Sequence, residues 1–156
     1  MKRAFRYGWI PLLVIAADQV TKALAETLTR PVTLIPGVVG LELTHNTGVA
    51  FSLLSGAPWL AALLPIPVLA CGFLFLRRCR LGPLSLTGGM LIAGGAVSNM
   101  IDRLFRGQVT DMVKVLAFDF AVFNFADAAL TIGCILLILS LFLKPNEWER
   151  KADGRD

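Results

Sequence analysis

Histidine occurs once in this chain, at His45, and that single residue excludes the two-histidine metal motif HExxH. Cysteine is nearly as scarce. The three cysteines, Cys71, Cys79 and Cys134, are scattered and odd in number, so neither a disulfide nor a zinc site is expected. No GxSxG nucleophile elbow is present, which removes the serine-hydrolase design carried by that turn. Internal repeats and low-complexity tracts are missing as well, so residues 1–156 read as one domain. Charged residues make up only 17% of the chain.

Apolar residues fill the space left by those absences. At 56% hydrophobic, with a mean hydropathy of +0.70, the chain has more apolar surface than one compact water-soluble domain can hide. Runs near the roughly 20 residues that a helix needs to cross hydrocarbon occur at about Phe5–Leu28, Ala57–Leu76, Leu84–Leu104 and Ala121–Leu143. The first begins like a secretory signal peptide, with Lys2, Arg3 and Arg6 ahead of YGWIPLLVIAA. Its continuation, DQVTKALAET, reads on as helix and offers no small-residue cleavage site. The expected fold class is therefore an all-α membrane protein with four transmembrane helices.

Basic residues orient those spans. They gather at Lys2/Arg3/Arg6, at Arg77/Arg78/Arg80, and at Lys144/Arg150/Lys151/Arg155, which places both termini in the cytoplasm. Residues Thr29–Gly56 and Phe105–Phe120 then lie outside, with only Arg30, Arg106 and Lys114 basic among them. The net charge of +4 is accounted for by topology and gives no argument for a nucleic-acid partner.

Polar residues of the spans are distributed unevenly along the membrane normal. Span one carries Asp18 and Lys22 late; span three carries Ser98, Asn99, Asp102 and Arg103 late; span four runs inward and carries Asn124 and Asp127 early. All fall in the outer half of the bilayer. With a helix starting at Ala121, Asp127 sits roughly 10 Å below its end, a depth at which an ionisable group marks a functional site. Residues three or four apart share a helix face, so Asn124 pairs with Asp127, Asp18 with Lys22, and Gly95 with Asn99 and Asp102. Gly94, Gly95, Ala96 and Ser98 permit close helix approach. Asp18–Lys22 and Asp102–Arg103 can be read as packing glue and a helix-end charge cluster, but Asp127 has no basic residue of its own helix within reach.

Asp111, in QVTDMVKV just beyond span three, is a natural neighbour for Asp127. Two carboxylates in a poorly solvated site cannot both ionise cheaply, so one keeps its proton. Aspartic proteases use such a pair, the ionised member taking a proton from water and the protonated member polarising the scissile carbonyl. Two other classes also use intramembrane carboxylates or polar residues. A proton-coupled transporter would carry protons on Asp111 and Asp127, but typically near the midplane and with repeated halves or broken helices. A noncatalytic scaffold would need the polar residues only for helix association. His45 reads as a loop residue.

The blocks DQVTK (18–22), HNTGVAFSLL (45–54), GGAVSNMIDR (94–103), VTDMV (109–113) and FNFADAAL (123–130) together resemble the lipoprotein signal peptidases, also called signal peptidase II. The resemblance covers the chain from first span to last. It implies a bacterial four-helix aspartyl peptidase of the cytoplasmic membrane that removes the signal peptide from prolipoproteins, cutting just before the cysteine that carries a diacylglyceryl group. It further implies Asp111 and Asp127 as the catalytic pair, with Asp18, Lys22, Asn46, Gly95, Asn99, Asp102, Arg103 and Asn124 around them. Asp102 is assigned to support, paired with Arg103 or a neighbour. No cofactor, metal or obligate protein partner is implied; the partners are the diacylglyceryl-prolipoprotein and membrane lipid. The chain departs from the family pattern at Ala128, where serine often follows the aspartate, and a local hydrogen bond is in doubt there.

Between the spans, VTLI and LELTH alternate like short strands and HNTG signals a turn, so Val32–Leu54 should form a small extracytoplasmic structure. With MVKVLAFDF (112–120) it would make a β-rich platform on the membrane surface. Trp59 and Phe51 are candidate interface anchors, and Pro65 and Pro67 should kink span two.

Overall fold

The structure, a computed structural model, describes residues 6–48 and 58–149. Lys2, Arg3, Phe5, Phe51, Ala57, Arg150, Lys151 and Arg155, with residues 49–54 of the expected outer segment, lie outside the described residues. Helix α1 (Trp9–Ala25) is followed by β1 (Val32–Ile35) and β2 (Val39–Asn46), then by α2 (Pro58–Leu63), α3 (Pro65–Leu76) and α4 (Pro83–Arg106). Strand β3 (Val109–Val115) leads to α5 (Phe125–Leu143) and a 3-10 turn (Pro145–Trp148).

Among the described residues, three helical segments are long and apolar enough to cross a membrane: Trp59–Leu76, Pro83–Arg106 and Phe125–Leu143. Helix α1 is shorter, 17 residues, and carries Asp18 and Lys22. The fourth span expected over Phe5–Leu28 is not among those three. In span two the helix assignment breaks at the single residue Leu64, which keeps helical φ −54° and ψ −38° and donates to Leu60 O at 3.1 Å, and α3 restarts with Pro65, which has no N–H to continue the ladder, in its first turn. Trp59 is 63% exposed, and so are many of the large apolar side chains on these helices, as suits surfaces that face lipid.

Small residues decide how the helices meet. Val14 and Pro11 of α1 lie against Gly94, where an added Cβ would come within 2.8 Å of the Val14 Cβ. Asp18 meets Ser98, and Lys22 meets Asp102, so α1 and α4 run side by side in the same direction. Helix α5 runs against α4: a Cβ on Gly95 would meet the Ala126 carbonyl, and one on Gly88 would lie 2.8 Å from the Gly133 carbonyl. The Gly88–Gly133 contact is part of the interface that the block GGAVSNMIDR does not contain. At the far end, the 3-10 turn folds back: Ser85 Oγ donates to Glu147 Oε2 at 2.6 Å and Trp148 Nε1 donates to Ser140 Oγ at 3.1 Å.

The strands form an antiparallel three-stranded sheet in the order β1-β2-β3. Pro36 and Gly37 occupy the turn between β1 and β2, closed by a 3.0 Å bond from Val38 N to Ile35 O, with Gly37 at φ 71° as the third position of a type II turn requires. Gly107, also at φ 71°, ends α4 and turns the chain into β3. The strand segment expected at residues 112–120 begins three residues earlier and stops at Val115. His45 is a strand residue, paired with Thr110, instead of a loop residue. An isolated bridge between Val113 and Phe123 ties the strand to the start of α5. That pairing holds residues up to Phe123 extended, so α5 begins at Phe125, four residues later than the expected span, and Asp127 lies in its first turn.

Candidate functional site

Helix α5 begins with an exposed donor problem that its own sequence solves. Its first N–H groups have no partner within the helix, and Asn124 at the N-cap accepts from Asp127 N through Oδ1 at 2.9 Å. Asp127 answers by accepting from Asn124 N through Oδ2 at 3.2 Å, completing a reciprocal capping box. A third donor, Ala126 N, is met from another helix: Asp18 Oδ1 accepts it at 2.8 Å. Asp18 is therefore a cap supplied across the helix interface, and it fixes the turn that carries Asp127.

Asp18 also faces Lys22, 2.6 Å away on its own helix, and Lys22 Nζ lies 2.5 Å from Asp102 Oδ2. All three side chains are fully buried. A buried ammonium between two carboxylates is tolerable only with its remaining valences filled, and Lys22 donates its third bond to Asn99 Oδ1 at 2.9 Å. Because that oxygen must face the ammonium, the Asn99 amide nitrogen points the other way and donates to Asp127 Oδ1 at 2.9 Å. Ser98 Oγ donates to Asp18 at 2.7 Å, and Gln19 Nε2 donates to Asp102 Oδ1 at 3.0 Å.

Asp111 enters from β3, in register with Thr44, and is buried at 3% exposure. Asn124 Nδ2 donates to its Oδ1 at 2.6 Å, and Asn46 Nδ2 donates to its Oδ2 at 3.3 Å. Burial, opposed by the Asn124 amide and reinforced by the neighbouring Asp127 charge, pushes the Asp111 carboxyl up from 3.8 to about 6. Asn124 thus touches both aspartates, and its amide also reaches Asn99 Oδ1 at 3.2 Å. Gly95 lies behind this cluster, where any side chain would strike the Ala126 carbonyl.

All ten residues expected in the pocket fall into this network or its wall, with Arg103 at the edge and turned away from Asp102. Arg103 Nη2 donates to Gly48 O at 2.7 Å and Nη1 to Asn99 O at 3.3 Å, while its Nε is buried without a partner among the described residues. The salt-bridge partners of Asp102 are Lys22 and, at 3.7 Å, Arg106. The Asp102–Arg103 cluster expected from adjacency does not form, because neighbours in a helix point about 100° apart. Gln19 joins the network without a signal in the sequence: it sits between Asp18 and Lys22, and only the packing of α1 on α4 turns it toward Asp102. Among the described residues, no group of three or more His, Cys, Asp or Glu side chains is placed to hold a metal ion. His45 Nε2 lies 3.0 Å from Glu26 Oε1, which also accepts from Thr110 Oγ1 at 2.6 Å.

Helices that cross a membrane, a sheet at one end, and two aspartates joined by shared amides beneath it define a multi-pass membrane protein with a buried carboxylate site. The sequence places it more closely. Residues 10–143 match the family model described as signal peptidase (SPase) II. A lipoprotein signal peptidase of Pseudomonas paraeruginosa is 37% identical over 152 residues, covering 90% of each chain. Others from Geobacillus thermodenitrificans and Streptococcus agalactiae are 38% and 37% identical, each covering at least 90% of both chains. Two solved bacterial membrane enzymes superpose with TM-scores of 0.81 and 0.78, at 28% and 29% identity over 99% and 92% of this chain. The chain belongs to the signal peptidase II family, and it is a peptidase. The proton-coupled transporter finds no support among these relatives.

Proposed function

We propose that this protein is an aspartyl endopeptidase of the bacterial cytoplasmic membrane, that Asp111 and Asp127 are its catalytic pair, and that it cleaves diacylglyceryl-prolipoproteins just before the lipid-modified cysteine. The observation that carries the reading is the bridge through Asn124, whose side-chain amide holds the Asp111 carboxylate from the sheet and whose backbone N–H holds the Asp127 carboxylate of α5. Such a pair needs only water as co-substrate. The ionised aspartate takes a proton from water as its oxygen attacks the scissile carbonyl, and the protonated aspartate gives its proton to the carbonyl oxygen. Collapse of the tetrahedral intermediate breaks the C–N bond and returns a proton to the departing amine. The buried Asp18–Lys22–Asp102 cluster stays out of the chemistry and holds Asn99 and the first turn of α5 in place. Arg103 and Asn46 complete the pocket wall.

The same reading makes α1 a fourth span, keeps residues 1–156 as one domain, and sets both termini in the cytoplasm with the site near the outer face. Its support is the parallel packing of α1 on α4 and the gathering of every ionisable pocket residue at the sheet end of the helices. A bond held at the outer interface by acyl chains lies at that depth. The test is cleavage of a purified diacylglyceryl-prolipoprotein in detergent, with chelator present throughout, by wild type and by Asp111→Asn, Asp127→Asn and Asp102→Asn. Wild type should cut, and both dyad variants should be inactive yet folded. Cleavage retained in either dyad variant removes the catalytic assignment.

A further inference from the structure

Asp18, Lys22 and the C-cap residue Glu26 follow one another at four-residue steps along α1 and so share a face. The first two reach the turn that carries Asp127, through Ala126 N and through Asn99. Glu26 stands at the C-terminal end of the helix, where the helix dipole disfavours a carboxylate, so α1 itself gives no reason for an acid there. Its partners are in the sheet. Glu26 Oε1 accepts from Thr110 Oγ1 at 2.6 Å and lies 3.0 Å from His45 Nε2, and Oε2 lies 3.2 Å from the same nitrogen. Thr110 and His45 are directly opposed across β2 and β3, so one carboxylate spans the strand pair.

That pair adjoins the candidate site. Side chains alternate along a strand, so Thr110 and His45 occupy one face of the sheet and their neighbours Asp111 and Asn46 the other, where Asn46 Nδ2 donates to Asp111. The pairing at this end is also out of step with the rest of the sheet. From Leu41 to Thr44, β2 advances three residues where β3 advances two, from Val113 to Asp111. Such a bulge uncouples the register at Asp111 from the pairs beyond it, and a slip of one residue would turn the other face of the strand toward the pocket.

We propose that Glu26 is a positioning residue for Asp111, holding Thr110 against the end of α1 and so fixing the register and height of the neighbouring carboxylate. The assignment rests on the reading of Asp111 as catalytic. One face of α1 then sets both aspartates, Asp127 through the first turn of α5 and Asp111 through β3.

The test uses the purified full-length protein in detergent with a diacylglyceryl-prolipoprotein as substrate, and unfolding temperatures measured alongside. Thr110→Val removes the donor and keeps the shape of the side chain; Glu26→Ala removes the acceptor. Each should lower kcat about tenfold with KM within about twofold of wild type, short of the roughly 100-fold that an ångström of misplacement costs, because Asn124 and Asn46 still hold Asp111. The double variant should be no slower than the slower single, since both substitutions break one bond. Thr110→Ser and Glu26→Gln keep donor and acceptor and should recover most of the lost kcat. If Glu26→Ala does not fold, Thr110→Val probes the same bond from the strand side. Wild-type kcat in folded Thr110→Val overturns the proposal, even where its unfolding temperature drops, as do losses that multiply in the double variant or fall on KM alone. No cleavage by wild type, or cleavage retained by Asp111→Asn, defeats instead the reading of Asp111 on which the proposal stands.

Discussion

Asn124 Nδ2 stands 2.6 Å from Asp111 Oδ1, so the residue that caps α5 also holds the carboxylate contributed by the sheet. One side chain thereby sets the distance between a strand and a helix that are joined to each other by little else than the Val113–Phe123 bridge. Two substitutions separate its roles. Asn124→Ala removes cap and bridge together and should cost about 1 kcal/mol of stability. Asn124→Asp keeps a good cap but replaces the amide donor with a third carboxylate. Both should lose at least about 100-fold in kcat/KM, the usual penalty for misplacing catalytic groups by an ångström. Thermal unfolding in detergent, run beside the cleavage assay, should find Asn124→Asp the more stable of the two.

Asp111 gives a prediction of opposite sign for stability and activity. Its carboxyl is raised from 3.8 to about 6 by burial, so the folded state holds the proton more tightly than the unfolded chain does. The stability it contributes is full below pH 4 and is lost as pH rises through about 6, leaving a buried charge at neutral pH. Asp111→Asn should therefore match or exceed wild type in stability at pH 7.5, by on the order of 1 kcal/mol, while abolishing cleavage. The advantage should shrink as the pH is lowered from 6 to 4. A variant markedly less stable than wild type at pH 7.5 would show that Asp111 serves the fold and not the reaction.

Much of this site was legible because its chemistry runs against its surroundings. Asp18, Lys22, Asp102 and Asp127 are ionisable residues in apolar runs, and helical spacing alone sets Asp18 beside Lys22 and Gly95 beside Asn99. What sequence could not supply was the angular relation between segments. Gln19 faces Asp102 only because α1 lies parallel to α4, and Arg103 turns to Gly48 and away from Asp102 because adjacent helix positions diverge. The start of α5 differs from the expected one for a related reason: Ala121–Phe123 is apolar enough for a span, but Phe123 is paired to Val113 and the chain stays extended. The Gly88–Gly133 contact joins residues 45 positions apart in sequence, with no local pattern to connect them.

Lys22 tests whether the buried charges are a structural unit. Its ammonium is shared by Asp18 and Asp102, and once it is removed the ion pair left to them among the described residues is Arg106, 3.7 Å from Asp102 and itself part-exposed. Lys22→Met should cost about 3–5 kcal/mol, the range for breaking a buried pair from one side. Lys22→Met combined with Asp18→Asn and Asp102→Asn removes the stranded charges and should recover a large part of that loss. Activity should stay low in both, because Asn99 has lost the partner that orients its amide toward Asp127. Recovery of cleavage in the triple variant would sever Lys22 from the positioning of Asp127.

Gly133 carries the last prediction, at a point where helix packing and the site are joined through rigid helices. A Cβ there would come 2.7 Å from the Gly88 carbonyl and 2.7 Å from the Ile92 side chain, with backbone behind both. Gly133→Ala must therefore push α4 and α5 apart, at about 1–3 kcal/mol for an overpacked contact. Asp127 lies six residues away on α5, about 9 Å along the axis, so the separation is felt where Asn99 meets Asp127 across the same interface. Cleavage should fall in parallel with stability, whereas Ile132→Ala, on the neighbouring but 50% exposed position, should leave both nearly unchanged. Equal, small effects of the two substitutions on melting temperature and kcat/KM would show that the close approach of α4 and α5 is not what sets the carboxylate geometry.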